Sequence, residues 1–347
     1  MSAPVIDAVR ARARTVPTAV PEADGTLAWD DTTMVTVEVR ADGETGTGWT
    51  WAPAAAARVV DDLLTPVVVH RSPLAPADAQ AAMVHAVRNA GRPGLVGMAI
   101  SAVDIAIWDL GAHLLGIPLT TWFGASPRPV PVYGSGGFTT YDDDRLTTEL
   151  EGWLARGLSS VKIKIGDDLD RVALARSVVG EDVELMVDAN GAYDVGRARR
   201  VGRRLDELGV TWFEEPVSSD DLAGLALLRD QLTCDVAAGE YGYDLPYYEG
   251  MVPAVDCVQI DVTRCGGYTE WRRIAAVAAA HGVDVSGHCA PYLTAPVAAA
   301  TPGLRHLEWF HDHVRIVREL VDGYAAPADG LLPAGEGPGH GLRLRDA

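Results

Sequence analysis

At 347 residues, the chain is long enough for one large barrel or two domains with sizeable cores, with no need of disulfide or metal staples. A net charge of −19 excludes a nucleic-acid binder, because phosphate recognition needs a basic stripe and an acidic surface repels it. Any anionic substrate must therefore meet a local positive site. The opening residues, MSAPVIDAVR, lack the basic start and apolar core of a leader, and no stretch holds about 18 unbroken apolar residues, as a membrane helix requires. A cytoplasmic protein with neither nucleic-acid nor membrane partners is expected. Cys234, Cys257, Cys265 and Cys289 form no CxxC pair, which speaks for reduced, buried thiols and against a disulfide framework or zinc site.

Residues 1–125 mix patterns. TTMVTVEVR (32–40) alternates at period two, while AAAARVVDDLL (54–64) and MAISAVDIAIWDLGAHLLG (98–116) run at helical spacing, so an α+β domain is predicted. Between residues 17 and 30, Pro and Gly punctuation without a period predicts a mobile surface loop able to act as a lid. From about residue 128, β-rich segments alternate with helical ones: VPVY (130–133), VKIKI (161–165), ELMVD (184–188), TWFE (211–214), VAAGE (236–240), CVQID (257–261), VDVS (283–286) and RHLE (305–308). Eight such units make a closed (β/α)8 barrel, expected over residues 126–315. Residues 316–347 fit no ninth unit and are expected to pack back on the N-terminal domain and complete it.

Within this frame the polar residues cluster. Asp188, Glu214, Glu240, Asp261 and Glu308 each end a predicted strand and His288 lies just past another, so a barrel would gather all six at one mouth. Asp188, Glu214 and Glu240 follow at equal intervals of 26 residues. Three hard carboxylates on a rigid rim suit Mg²⁺, one per subunit, although acids at strand ends also cap helices. Of 29 basic residues only Lys162 and Lys164 are lysines, two positions apart on one strand. Lysine can lose its proton when its surroundings lower its pKa, whereas arginine effectively cannot, so the pair points to proton-transfer chemistry. Glu215, beside Glu214, is read as structural.

Taken in order, VKIKIG, LMVDANGAY, WFEEPV, AAGE, VQIDVTRCGG, VSGHCAPY and LRHLEW resemble the enolase superfamily and, within it, the mandelate racemase subgroup. The muconate-lactonizing branch carries a catalytic lysine where this chain has Asp261, five residues before Gly266-Gly267. Enolase proper uses a late lysine that is absent here, and mannonate-dehydratase-like members lack the second lysine of KxK. The resemblance implies Mg²⁺ on Asp188, Glu214 and Glu240, and a Lys or His base that removes the proton beside a carboxylate to give an enediolate, the chemistry known for this superfamily. It implies Lys164 as one base, its pKa lowered by Lys162 and the metal, and His288 as the other, oriented by Asp261. Lys162 and Glu308 would bind and stabilise the substrate, Lys162 as a fixed cation and Glu308, if protonated, by donating a hydrogen bond. Asn190 could hold a substrate hydroxyl or stabilise the DANG turn.

The reaction expected on this basis is dehydration of an acid sugar (aldonate or aldarate) to a 2-keto-3-deoxy product, with racemisation or epimerisation of an α-hydroxy acid as the alternative. A non-catalytic small-molecule binding barrel is the alternative of a different class, and the intact set of polar residues speaks against it. A homo-oligomer, dimer to octamer, is expected. His311-Asp312-His313 is assigned a loop or supporting role because amidohydrolase HxH sites lie on the first strand. GSGG (134–137) is too little for a phosphate cradle and is read as giving room beside the first strand. Trp29, Trp49 and Trp51 are candidates for packing, with one of them expected to line the pocket.

Overall fold

The computed structural model describes residues 4–345, so the outermost residues of the expected N-terminal domain and tail lie outside it. The N-terminal domain begins with a three-stranded antiparallel sheet, Ala8–Ala23, Ala28–Ala41 and Glu44–Trp51, in that spatial order. Period-two alternation sends Val35, Val37, Val39 and Ala41 inward, where all are fully buried. The helix Leu95–Leu115 lies directly on the third strand because Gly46 and Gly48 leave room for it. A Cβ on Gly46 would stand 2.2 Å from Ala106 O, and one on Gly48 2.3 Å from Ala102 O. That helix is long and apolar enough to cross a membrane by composition, yet 83% of its apolar window is buried within the protein.

The expected loop over residues 17–30 is instead the end of a long hairpin. Its strands pair Ala8 with Arg40 through Pro17 with Asp31, shift register, and pair again at Glu22–Trp29 and Ala23–Ala28. Ala8–Ala23 is an edge strand, where a proline costs no ladder hydrogen bond. Pro17 and Pro21 are therefore compatible with strand, and only residues 24–27 form the turn. The turn sits on the barrel mouth: Thr139 N donates to Ala23 O (2.8 Å), and a Cβ on Gly25 would stand 2.6 Å from Ala189 O and 2.7 Å from Ile165 O.

Eight parallel strands form the second domain: Val130–Gly136, Ser160–Lys164, Glu184–Asp188, Val210–Glu214, Asp235–Ala238, Cys257–Ile260, Asp284–Gly287 and Leu304–Phe310. Each pairs with the next, and Leu307–Phe310 pairs with Val132–Ser135 to close the ring. Helices intervene between the strands, as a (β/α)8 barrel requires. The glycines of GSGG do make room, since a Cβ on Gly134 would reach 2.5 Å from the Trp153 ring. The C-terminal segment touches both domains. Leu331–Leu332 adds antiparallel to the first barrel strand, while His340 donates from its backbone N–H to Asp109 (2.9 Å) and places Nε2 2.9 Å from Thr47 O.

Candidate active site

Strand register brings the polar residues together. Lys164 stands opposite Asp188 and Asp188 opposite Glu214 on adjacent strands, so alternation points all three into the same end of the barrel. Glu240 and Asp261 lie just beyond the ends of strands five and six, and His288 follows strand seven. Asp188, Glu214, Glu240, Asp261, His288, Glu308, Lys162 and Lys164 are all buried.

Asp188, Glu214 and Glu240 each offer an oxygen, and these oxygens lie within 4.8 Å of one another. Burial and the neighbouring Asp188 charge push the Glu214 carboxyl up despite Lys162. Glu240 Oε2 is buried without a well-directed hydrogen bond, although His288 Nε2 is 3.1 Å away. A crowded, desolvated set of hard oxygens with an unmet acceptor fits a small divalent cation. His288, Cys289 and Glu308 also cluster, but burial raises the Cys289 thiol to about 12, so it stays protonated and is a poor ligand.

The two lysines sit in different surroundings. Lys162 is fully buried and bound by Glu214 (2.7 and 2.6 Å) and Glu308 (2.9 Å). It does not line the cavity, so its charge acts through the carboxylates it holds. Lys164 does line the cavity, but its ammonium lies 2.5 Å from Asp188. Burial pulls its pKa down, Asp188 outweighs that pull, and the amine is held above its ordinary range. The like charge of Lys162 lowers it too little to reverse this. The carboxylate that retains the proton belongs to the same set that would hold the cation.

His288 Nδ1 lies 2.8 Å from Asp261 Oδ2, and Asp261 Oδ1 accepts from the backbone and hydroxyl of Thr263, both at 2.7 Å. A carboxylate fixed in this way sets the ring tautomer and turns Nε2 toward the cavity. Cys289 and Ala290 follow at φ +47° and +40°, a strained pair held where Cys289 N donates to Glu308 Oε2 (2.9 Å). Glu308 also accepts from Ser135 Oγ (2.6 Å). Burial raises its pKa, but Lys162 and His288 outweigh burial and hold Glu308 as a carboxylate, so the protonation that hydrogen-bond donation would require is absent here.

Lys164, Asn190, Glu240, His288 and Glu308 share one cavity of about 510 Å³ with residues of the N-terminal hairpin. Asn190 forms the turn and leaves its side-chain oxygen open to a ligand. Its backbone turns at φ +48° and donates to Asp188 Oδ1, while its side-chain oxygen is buried without a partner. Trp29 and Trp51 line the cavity, whereas Trp49 is fully buried. Sequence reasoning missed Arg264, which lies 3.4 Å from both Asp261 and Glu240, although the need for a local cation pointed to such a residue. It also undervalued Asp312 and His313. They open the helix His311–Leu320 and line the cavity, with His313 stacked on Trp51 at 3.9 Å.

The family model described as mandelate racemase / muconate lactonizing enzyme, N-terminal domain, matches residues 8–124, and the one described as enolase C-terminal domain-like matches residues 145–347. The chain belongs to this enolase-superfamily family. A 3,6-anhydro-alpha-L-galactonate cycloisomerase of Streptomyces coelicolor is 34% identical over 90% of each chain. An L-talarate/galactarate dehydratase of Salmonella typhimurium is 33% identical over 68% of this chain and 62% of its own. Among solved structures, a mandelate racemase/muconate lactonizing enzyme-like protein from Rubrobacter xylanophilus superposes with a TM-score of 0.95 at 45% identity, covering 98% of this chain and 97% of that one. A racemase from Streptomyces coelicolor with bound magnesium gives 0.93 at 32%, with the same coverage.

Proposed function

We propose that this protein is a Mg²⁺-dependent enzyme that removes the proton next to the carboxylate of an acid sugar and expels the oxygen on the neighbouring carbon. The carrying observation is that Lys164 and the Asp261-bound His288 face one cavity that Glu240 also lines, with Asp188 and Glu214 clustered against Glu240. Those three carboxylates would hold Mg²⁺, which when bound neutralises charge growing on the substrate carboxylate. The partnerless Asn190 oxygen, with Thr32 and Thr33 in the lining, suits a polyhydroxylated ligand better than an apolar one.

Asp188, when it holds a cation, would bind the Lys164 ammonium less tightly and let the amine give up its proton. For dehydration, neutral Lys164 then takes the C2 proton and the released electron pair forms the C2–C3 double bond as the C3–O bond breaks. His288 delivers a proton to the departing hydroxyl, which leaves as water, and the enol tautomerises to the 2-keto-3-deoxy acid. The cycloisomerase relative favours a second reading in which the oxygen on C3 belongs to a ring. The same proton transfers then open the ring, and the product keeps the substrate's formula.

Incubation of the Mg²⁺-loaded protein with aldonates, aldarates and anhydro-acids, followed by mass spectrometry and carbon and proton NMR of the products, separates these readings. Loss of water supports dehydration, unchanged mass with a new keto group supports ring opening, and inverted configuration at C2 alone would instead establish a racemase or epimerase. No turnover of any sugar acid would overturn the proposal.

A further inference from the structure

Resting on the acid-sugar reading above, we infer that the cavity selects sugar acids carrying one carboxylate and rejects diacids of the same length and configuration. The reacting end lies on the barrel, where the substrate carboxylate would meet the cation. The far end is built by the N-terminal hairpin, and Asp24 and Asp31 face the cavity there. Asp24 is fixed, because its Oδ1 accepts from the backbone N–H groups of Thr26 (2.6 Å) and Leu27 (2.7 Å). Neither Asp24 nor Asp31 has a basic partner within 4 Å among the described residues.

Among the described residues, no cation lining the cavity is free to answer a second carboxylate. Those cations are Lys164, Arg264 and His288, and His288 is held between Asp261 at 2.8 Å and Glu240 at 3.1 Å. Lys164 is bound to Asp188, and Arg264 lies between Asp261 and Glu240 at 3.4 Å from each. Asp312 is answered by Arg315 at 2.6 Å, which leaves no charge to spare. His313 is neutral near pH 7, since burial draws its pKa to about 4, and its ring is stacked on Trp51. A distal carboxylate would thus face Asp24 and Asp31 uncompensated. A distal hydroxyl would instead donate to them.

The test compares kcat/KM for aldonates and for aldarates of matching configuration, at saturating Mg²⁺, in the parent and in Asp31→Arg. Asp31 is exposed and makes no side-chain hydrogen bond among the described residues, so the variant is expected to fold, which its melting temperature checks. The parent should prefer the monoacid by about tenfold or more, because like charges brought together in a site are costly. Asp31→Arg should narrow that ratio by about tenfold by replacing repulsion with attraction. A parent that turns over the diacid as well as the monoacid, or a ratio unmoved in the variant, overturns the inference. α-Proton exchange in D₂O separates the two levels: exchange with diacids alone sinks only this inference, and exchange with neither class removes the acid-sugar reading and the inference with it.

Discussion

Lys164 and His288 are charged by what surrounds them. Replacing His288 with Asn is expected to lower kcat by roughly 10²–10⁴-fold, the usual contribution of a positioned acid or base, with KM little changed. Asp261→Asn should cost less, about 10–100-fold, because the ring stays but its orientation and tautomer are no longer held at 2.8 Å. Steady-state kinetics on both variants check this; equal losses would show that Asp261 does more than position the ring. The identities of these residues were legible in the sequence because strand-end periodicity and the two isolated lysines single them out. Their protonation was not legible. Lys164 keeps its proton because Asp188 is its register partner, and Glu308 loses its own because Lys162 lies 2.9 Å away. Both facts depend on partners 24 and 146 positions distant in sequence.

The hairpin Ala8–Ala41 is the element that shapes the cavity's outer wall, and it is the element the sequence concealed. Its exposed edge strand tolerates two prolines, so Pro17 and Pro21 read as loop while the chain continues as strand. Gly25→Ala should lift the turn from the barrel, since the added Cβ meets two backbone carbonyls, and KM should rise severalfold with little loss of melting temperature. An unchanged KM would separate the turn from binding. Glu22 anchors the same hairpin, with Trp29 Nε1 donating to it at 3.1 Å, and burial and then Asp312 raise its pKa to about 7. The folded state therefore holds this proton more tightly than the unfolded state. The resulting stability is fully present below pH 4.5 and is lost as pH rises through about 7. Glu22→Gln should accordingly melt higher than the parent at pH 8 and level with it near pH 4; a constant difference at both pH values would contradict the assignment.

At the scale of the molecule, eight strand signals at regular spacing made the barrel legible, while its union with the N-terminal domain was harder to read. That union rests on lone polar residues such as His340, Asp109 and Thr47, whose contacts span 231 and 293 positions. His340→Ala should cost about 1–3 kcal/mol by leaving buried groups unpaired, measurable by denaturant unfolding. Closure of the barrel is also what brings Asp188, Glu214 and Glu240 together as the candidate cation site. Mg²⁺ should stabilise the parent by about 2.7 kcal/mol at a hundredfold excess over its dissociation constant, and that gain should shrink in Glu240→Gln.

The central claim, metal-dependent removal of an α-proton by Lys164 with His288 as the acid, is tested most directly by proton NMR of sugar acids incubated in D₂O with the protein and Mg²⁺. The C2 proton of a substrate should be lost or exchanged with Mg²⁺ present, and the signal should persist in EDTA and in the Lys164→Ala/His288→Asn double variant. Retention of every C2 proton by the Mg²⁺-loaded parent, or undiminished exchange in the double variant, would contradict it.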